Sequence, residues 1–323
     1  MTKVALVFCY FGKFPNYFHL FLDSCRRNDS IDFIFFTDCE YSPLPDNVFF
    51  HNTSFEELKK RIANNFDFDI KLNTPYKLCD FKPAFGEIFS EELKGYDFWG
   101  HADVDMIFGN LRDFLTEDIF QSYNKIYQFG HLTLYRNTAE NNALYKLPGG
   151  IDYREAFTTE EIKVFDEVAG VGKKFDINGI PSFKRRDYAD ITKVTDRFAL
   201  TAVYLTKEEI KNNNYDEQIF YFDNGEICRD YYENNILKTD KFNYIHFSSR
   251  KMPVNFNSIP NSYYISKNGF TEKHGKTTRE IIKAYNKKDD KADKKAAKKR
   301  RIIDIKRRIK KVFIRIKERR PIL

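Results

Sequence analysis

The strongest constraint on this chain lies in its first hundred residues, where short apolar runs alternate with segments of helical pattern. Residues 3–10 read as a buried strand, and residues 16–25 as a short helix after the turn Phe11-Gly12-Lys13-Phe14-Pro15. Residues 32–36 form a second apolar run ending at Thr37-Asp38, and residues 48–51 a third. Ser54 stands where a helix N-cap belongs, and Glu57 completes a capping box for residues 55–65. Residues 76–93 are mostly helical in pattern despite Pro83, and residues 96–100 are a strand running towards Asp103. This alternation predicts a parallel α/β sheet. In such sheets ligand-binding residues gather in loops beyond the C-terminal ends of the strands, where Asp38 and Asp103 both fall.

Beyond residue 125 the pattern is less regular. Residues 126–135 read as a strand, 159–168 as a helix stopped near Gly170, and 175–187 as a loop containing Gly, Pro and Asn. Residues 198–205 and 218–222 read as strands, and 242–247 as a last strand leading into Ser248-Ser249-Arg250-Lys251. The 323 residues, 42% of them hydrophobic with 33 Phe and 20 Tyr, supply enough apolar material for a large core. Five scattered cysteines without a CxxC spacing argue against a disulfide framework or a zinc site, and for a reducing cytosol. The apolar start has one basic residue before it and no small-residue cleavage site after it, so it is read as a first strand and not a signal peptide. No segment approaches the roughly 18 consecutive apolar residues of a membrane span.

The motif Asp103-Val104-Asp105 carries the chemistry. Carboxylates at i and i+2 on extended backbone point the same way, and at a strand end they can share a hard cation. Mn²⁺ or Mg²⁺ takes oxygen ligands from carboxylates and from a diphosphate together, and neutralises charge on a departing diphosphate. Short acidic pairs are common on solvated loops. This one is flanked by Phe98-Trp99-Gly100-His101 and Met106-Ile107-Phe108-Gly109-Asn110, and charge inside so apolar a run needs a partner.

The order of strand, Thr-Asp, helix, strand and Asp-x-Asp resembles the GT-A glycosyltransferases, especially bacterial enzymes that build capsule, O-antigen or other surface polysaccharides. The resemblance covers about residues 1–255. It is carried by Tyr10-Phe11-Gly12, Phe36-Thr37-Asp38, residues 76–85, residues 99–105 and residues 130–137. It implies a single GT-A (Rossmann-like) α/β catalytic domain with a mixed central sheet over residues 1–285, with a nucleotide-sugar-binding half at 1–125 and an acceptor half at 126–285. Phe11 and Gly12 would line the nucleotide pocket and Asp38 would accept a hydrogen bond from the base, usually uracil. Asp80 and Lys82 would contact ribose, diphosphate or donor sugar, although many relatives carry Arg at the position of Lys82, and lysine is a point charge and not a fork. Asp103 and Asp105 would bind the metal. His246 would be its third ligand, and Lys251 would meet the diphosphate. The cofactor implied is Mn²⁺ (or Mg²⁺), with a UDP-sugar as donor. His101 and His131 read as packing or supporting groups.

Transfer with inversion needs a general base. Asp166 and Glu167 are the candidates, because the pair sits in an otherwise apolar patch; the competing reading is the solvent face of a helix, and Asp187, Asp190 and Asp223 stay open. Residues 287–320 hold 18 Lys/Arg against 5 Asp/Glu, a net +13 that leaves the rest at −6 within a total of +7. Residues 286–300 read as a charged linker. In residues 301–320, Ile302, Ile305, Ile309, Val312 and Ile316 recur at spacings of three and four among cations, the pattern of an amphipathic helix lying on an anionic membrane surface. A coiled-coil seam would suffer cation repulsion, and the acidic body offers no surface for reading nucleic acid. The expectation is a hexosyltransferase acting on a hydroxyl of a lipid-linked oligosaccharide, cytoplasmic and peripheral on the inner face of the cell membrane. The alternatives are a haloacid-dehalogenase-like phosphatase, which lacks its usual Thr or Val at Ile107, and a membrane-tethered nucleotide-sugar-binding protein without turnover.

Overall fold

The computed structural model describes residues 1–191, 198–200 and 213–286. The tail sequences at 287–300 and 301–320, and residues 201–205 of an expected strand, lie outside the described residues.

A seven-stranded mixed sheet organises the chain. Strands β1 (Val4–Tyr10), β2 (Ile31–Thr37) and β3 (Val48–Asn52) run parallel, and β4 (Phe98–Ala102) joins β1 on its other side, also parallel. A short strand β5 (Met106–Phe108) follows β4 and belongs to another sheet. Strands β6 (Lys125–Phe129) and β7 (Leu132–Arg136) form a hairpin whose β7 pairs antiparallel with β4, and β8 (Ser182–Phe183) closes the far edge. The spatial order is β3-β2-β1-β4-β7-β6-β8. Side chains of β1 alternate between two cores: Val4, Leu6 and Phe8 join one, Ala5 and Val7 the other. Helix α1 (Phe18–Arg26) covers the first face and α2 (Phe55–Ala63) the second. The capping box of α2 is formed, with Glu57 N–H donating to Ser54 Oγ and Ser54 N–H to Glu57 Oε2 at 3.2 and 2.8 Å.

Two smaller sheets complete the described residues. Strand β9 (Ala189–Asp190) pairs parallel with β13 (Tyr244–His246), which pairs antiparallel with β5 on its other side. Strands β10 (Gln218–Asp223), β11 (Glu226–Glu233), β12 (Ile236–Phe242), β14 (Ser262–Ser266) and β15 (Gly269–Glu272) make an antiparallel sheet in the order β12-β11-β10-β14-β15. The helix Arg279–Asn286 lays Ile282 against its Ile219, Tyr221 and Tyr264.

Several local expectations are corrected. Residues 126–135 are not one strand but a hairpin that turns at Gly130-His131. Residues 76–93 break into short turns, Leu78–Phe81 and Phe85–Ile88 flanking the 3₁₀ turn Lys82–Ala84, because Pro83 has no N–H to give to a continuous helix. Residues 159–167 are not helical, and Val168 only opens the short π-helical turn Val168–Gly172: Lys163 N–H and Phe165 N–H donate to the Asp80 carboxylate, and Val164 has φ +55°. Residues 175–187 contain the end of a helix, Lys173–Ile177, and β8. The run at 242–247 is split at the buried Asn243 between β12 and β13. Among the described residues no helix is long and apolar enough to cross a membrane.

Candidate metal centre

The topology chooses where the site can form. Strands β1, β2 and β4 are adjacent and parallel, so their C-terminal ends share one edge of the sheet, the edge at which ligand sites of α/β folds gather. Gly12 follows β1, Asp38 follows β2, and Asp103 follows β4. Gly12 has φ +102°, in the left-handed region that favours glycine, and its N–H donates to Asp38 Oδ1 at 3.1 Å, tying the first two loops together. The half-buried Phe11 ring packs on Phe55 with centroids 5.5 Å apart, and Asp38 is exposed. A cavity of about 550 Å³ beside this loop is lined by Gly12, Phe14, His19, Cys39 and Tyr41 among others.

Past the end of β4 the backbone keeps its alternation. Val104 is buried in the core, and Asp103 and Asp105 turn the other way. The chain then enters β5, whose register with β13 sets Met106 opposite His246. His246 Nε2 thereby lies 3.5 Å from Asp105 Oδ1 and 3.8 Å from Asp103 Oδ2. One ligand atom from each of Asp103, Asp105 and His246 falls within 4.8 Å of the others. Two carboxylates and an imidazole are a donor set that fits Mn²⁺, and Mg²⁺ less well because of the nitrogen. Burial disfavours an imidazolium at His246, but hydrogen bonds to Asp105 and Asp190 and their charges outweigh it, raising its pKa to about 10. Burial would likewise raise Asp105, but the His246 hydrogen bond and charge and the Ser249 N–H hold it below the usual carboxylate range. The negative field that favours a proton on His246 favours a divalent cation in its place.

The backbone after β13 serves the same carboxylate. Phe247 N–H donates to Asp105 O at 2.9 Å, and Ser249 N–H donates to Asp105 Oδ2. Ser248 and Ser249 have φ +49° and +58°, a conformation that costs non-glycine residues on the order of 1 kcal/mol or more each, and it is the turn that aims Ser249 N–H at Asp105. Lys251 follows on this segment and is exposed.

A second group of charges adjoins Asp103. Lys82 Nζ donates to Asp103 Oδ1 at 2.7 Å and to Gly130 O at 2.8 Å, and lies 3.4 Å from Asp166 Oδ2. Burial would lower the Lys82 pKa, but Asp103 and Asp166 together push it up. Asp166, 2% exposed, has its pKa raised to about 6 by burial, with Lys82 opposing and Asp103 adding. Glu167 is less buried, accepts Gly130 N–H at 3.0 Å, and is raised to about 7 by burial and by the Asp166 charge. The pair therefore lies neither on a helix nor on a solvent face, and its members differ: Asp166 is the counter-ion of Lys82, and Glu167 is the carboxyl nearer solvent.

Asp80 is a correction. Its carboxylate is fully buried, 2.6 Å from Lys77 Nζ, and accepts Lys163 N–H at 2.9 Å and Phe165 N–H at 2.8 Å. With both oxygens engaged inside the protein it faces no ligand, and it anchors the segment that carries Asp166 and Glu167. His101 is buried with Nδ1 3.2 Å from Gly130 O, and His131 stacks on His246 with centroids 4.6 Å apart. Sequence reasoning did not give Ser249 N–H or Asp190 a place at the cation site. Strand β9 is only two residues long and offers no periodicity to detect.

A family of unknown function (DUF6625) matches residues 6–274. No curated protein matches the sequence. Among solved structures, an active-site mutant of LgtC superposes with a TM-score of 0.40 at 9% identity, covering 76% of this chain and 88% of that one. Galactosyltransferase LgtC in complex with donor and acceptor sugar analogs gives a TM-score of 0.36 at 8% identity, covering 76% and 87%. Superpositions this loose do not bear on chemistry.

Proposed function

This chain belongs to the DUF6625 family, a membership that brings no activity with it, and we propose one from its site: a metal-dependent GT-A-type glycosyltransferase that moves a hexose from a UDP-sugar to a hydroxyl of a lipid-linked oligosaccharide in bacterial surface polysaccharide synthesis. The observation that carries the reading is the convergence of Asp103, Asp105 and His246 within 4.8 Å, just past the C-terminal end of β4. A divalent cation held there supplies charge neutralisation for a departing diphosphate.

The chain's own residues do the rest. Asp38, exposed and tied to Gly12 N–H, accepts a hydrogen bond from the base, and Phe11 and Gly12 shape the loop beside it. Lys82 is pinned between Asp103 and Asp166, so it fixes the Asp103 carboxylate and keeps a positive charge beside the sugar-phosphate end of the cleft. Lys251, exposed just after the Ser249 turn, adds a cation for the diphosphate. Glu167, with a pKa of about 7 and more exposure than Asp166, is the better acceptor of a hydroxyl proton if transfer inverts the anomeric centre. Residues 1–125 act as the donor half, 126–285 as the acceptor half that also returns His246 to the metal, and 286–300 as a charged linker. Residues 301–320 hold the enzyme on the anionic inner face of the cytoplasmic membrane, where a lipid-linked acceptor is found.

The test is release of UDP from a panel of UDP-sugars by the full chain, with Mn²⁺ and with chelator. Metal-dependent release supports the proposal. Phosphate release from simple monoesters would favour a phosphatase, and nucleotide binding without turnover would favour a binding protein.

A further inference from the structure

We propose that Asp190 is the positioning residue of the cation site: its carboxylate fixes the tautomer and ring orientation of His246 and so sets how tightly a divalent cation is held. The inference rests on reading Asp103, Asp105 and His246 as cation ligands, and concerns a residue outside that set.

The geometry begins with strand register. β13 lies between β5 and β9, so His246 has Met106 opposite it on one side and Asp190 on the other. Its two ring nitrogens are thereby divided. Nδ1 lies 2.9 Å from Asp190 Oδ1, and Nε2 faces Asp105 and Asp103 at 3.5 and 3.8 Å. An ionised carboxylate can only accept, so Nδ1 keeps its proton towards Asp190, and when a cation takes the place of the other proton it is Nε2 that turns its lone pair to Asp103 and Asp105. Asp190 is 8% exposed, and Ser248 Oγ reaches its Oδ1 at 3.4 Å. The ring is also held face-on: His131 stacks against it at 4.6 Å and 26°, and Tyr244 Oη lies 2.9 Å from His131 Nδ1. Rotating His246 away from the carboxylates would break both the Asp190 contact and this stack.

One competing assignment exists on the same residues. His131, Asp190 and His246 also bring ligand atoms within 4.8 Å of one another and could be read as a separate cation set. All three are buried, and His131 Nδ1 is already engaged by Tyr244. That set would also use the nitrogen that Asp190 needs in order to turn Nε2 outward. The positioning role accounts for every contact without a second ion. The contact engages Asp190 through Oδ1, with Ser248 Oγ at 3.4 Å beside it.

The test is Mn²⁺ binding to the full chain, titrated by electron paramagnetic resonance, with pulsed detection of ¹⁴N coupling from a bound imidazole. Wild type should bind Mn²⁺ with ¹⁴N coupling that disappears in His246→Ala. Asp190→Ala should weaken binding by on the order of 10- to 100-fold and change the coupling, as loss of a carboxylate behind a ligating histidine does. Asp190→Asn, which keeps an oxygen for Nδ1–H but loses the charge, should fall between the two. Should Asp190→Ala fail to fold, the isosteric Asp190→Asn decides alone. Wild-type affinity and coupling in the Asp190 variants, with both lost in His246→Ala, would overturn the positioning role but leave the metal site standing. Absence of Mn²⁺ binding in wild type would overturn both. Binding abolished by His131→Ala but kept in Asp105→Asn would assign the ion to the buried set and overturn the proposal.

Discussion

Replacing Asp80 by alanine separates a structural carboxylate from a ligand-binding one. Its side chain is fully buried against Lys77, itself 2% exposed, whose Nζ also donates to Ala156 O at 2.8 Å and to Glu161 O. Removing the carboxylate leaves a buried ammonium with carbonyl partners but no counter-charge, a loss of about 3–5 kcal/mol for pairs of this kind. It also orphans the N–H groups of Lys163 and Phe165, at about 1–3 kcal/mol for each donor that water cannot reach. These effects overlap, so the expected destabilisation is about 3–5 kcal/mol and not their sum. Trp99 is the single tryptophan and is fully buried in the adjoining core, so urea unfolding followed by its fluorescence measures the change. Adding Lys77→Met should recover the ion-pair part and leave the loss from the two N–H groups. A change below about 0.5 kcal/mol, typical of surface sites, would refute the reasoning, above all if nucleotide affinity fell sharply.

Asp105→Asn should weaken Mn²⁺ binding by more than the roughly 10- to 100-fold typical of outer partners; titration calorimetry checks it. Asp166 and Glu167 have pKa values raised by burial to about 6 and about 7, so between about pH 4 and 7 the folded state binds more protons than the unfolded one. Their contribution to stability is therefore full below pH 4 and falls as pH rises through these values; for Asp166, raised from 3.8, the loss is roughly 3 kcal/mol. Asp166→Asn should flatten that fall, as read by unfolding at pH 5 and pH 7.5. Ending the chain at Asn286 should release it from anionic vesicles and spare activity on a soluble acceptor, measured by co-sedimentation and UDP release.

How much of this was legible in the sequence depends on the range of the interactions. Strands β1, β2 and β4 and the capping box at Ser54 and Glu57 follow from local pattern, because a buried parallel strand must be apolar and a cap is written in adjacent residues. The exposed ends of those strands pointed to Asp38, Asp103 and Asp105 for the same reason. What local pattern could not give is the partner of a buried charge. Asp80 and Lys82 are near neighbours in sequence, yet one points at Lys77 and the other at Asp103, and only the packed fold tells them apart. The helix expected at residues 159–168 was lost to the Asp80 carboxylate, a contact across more than eighty positions. In the five-stranded antiparallel sheet β12 is largely exposed and polar and β15 is only four residues long, so neither carries a strand signal.

If Asp103, Asp105 and His246 hold a divalent cation against a diphosphate, nucleotide binding must depend on that cation. Titration of UDP into the full chain, with Mn²⁺ and with chelator, tests it most directly. UDP should bind only in the presence of Mn²⁺, and the binding should be lost in Asp105→Asn. UDP binding of equal strength in chelator, or no binding under either condition, would contradict it.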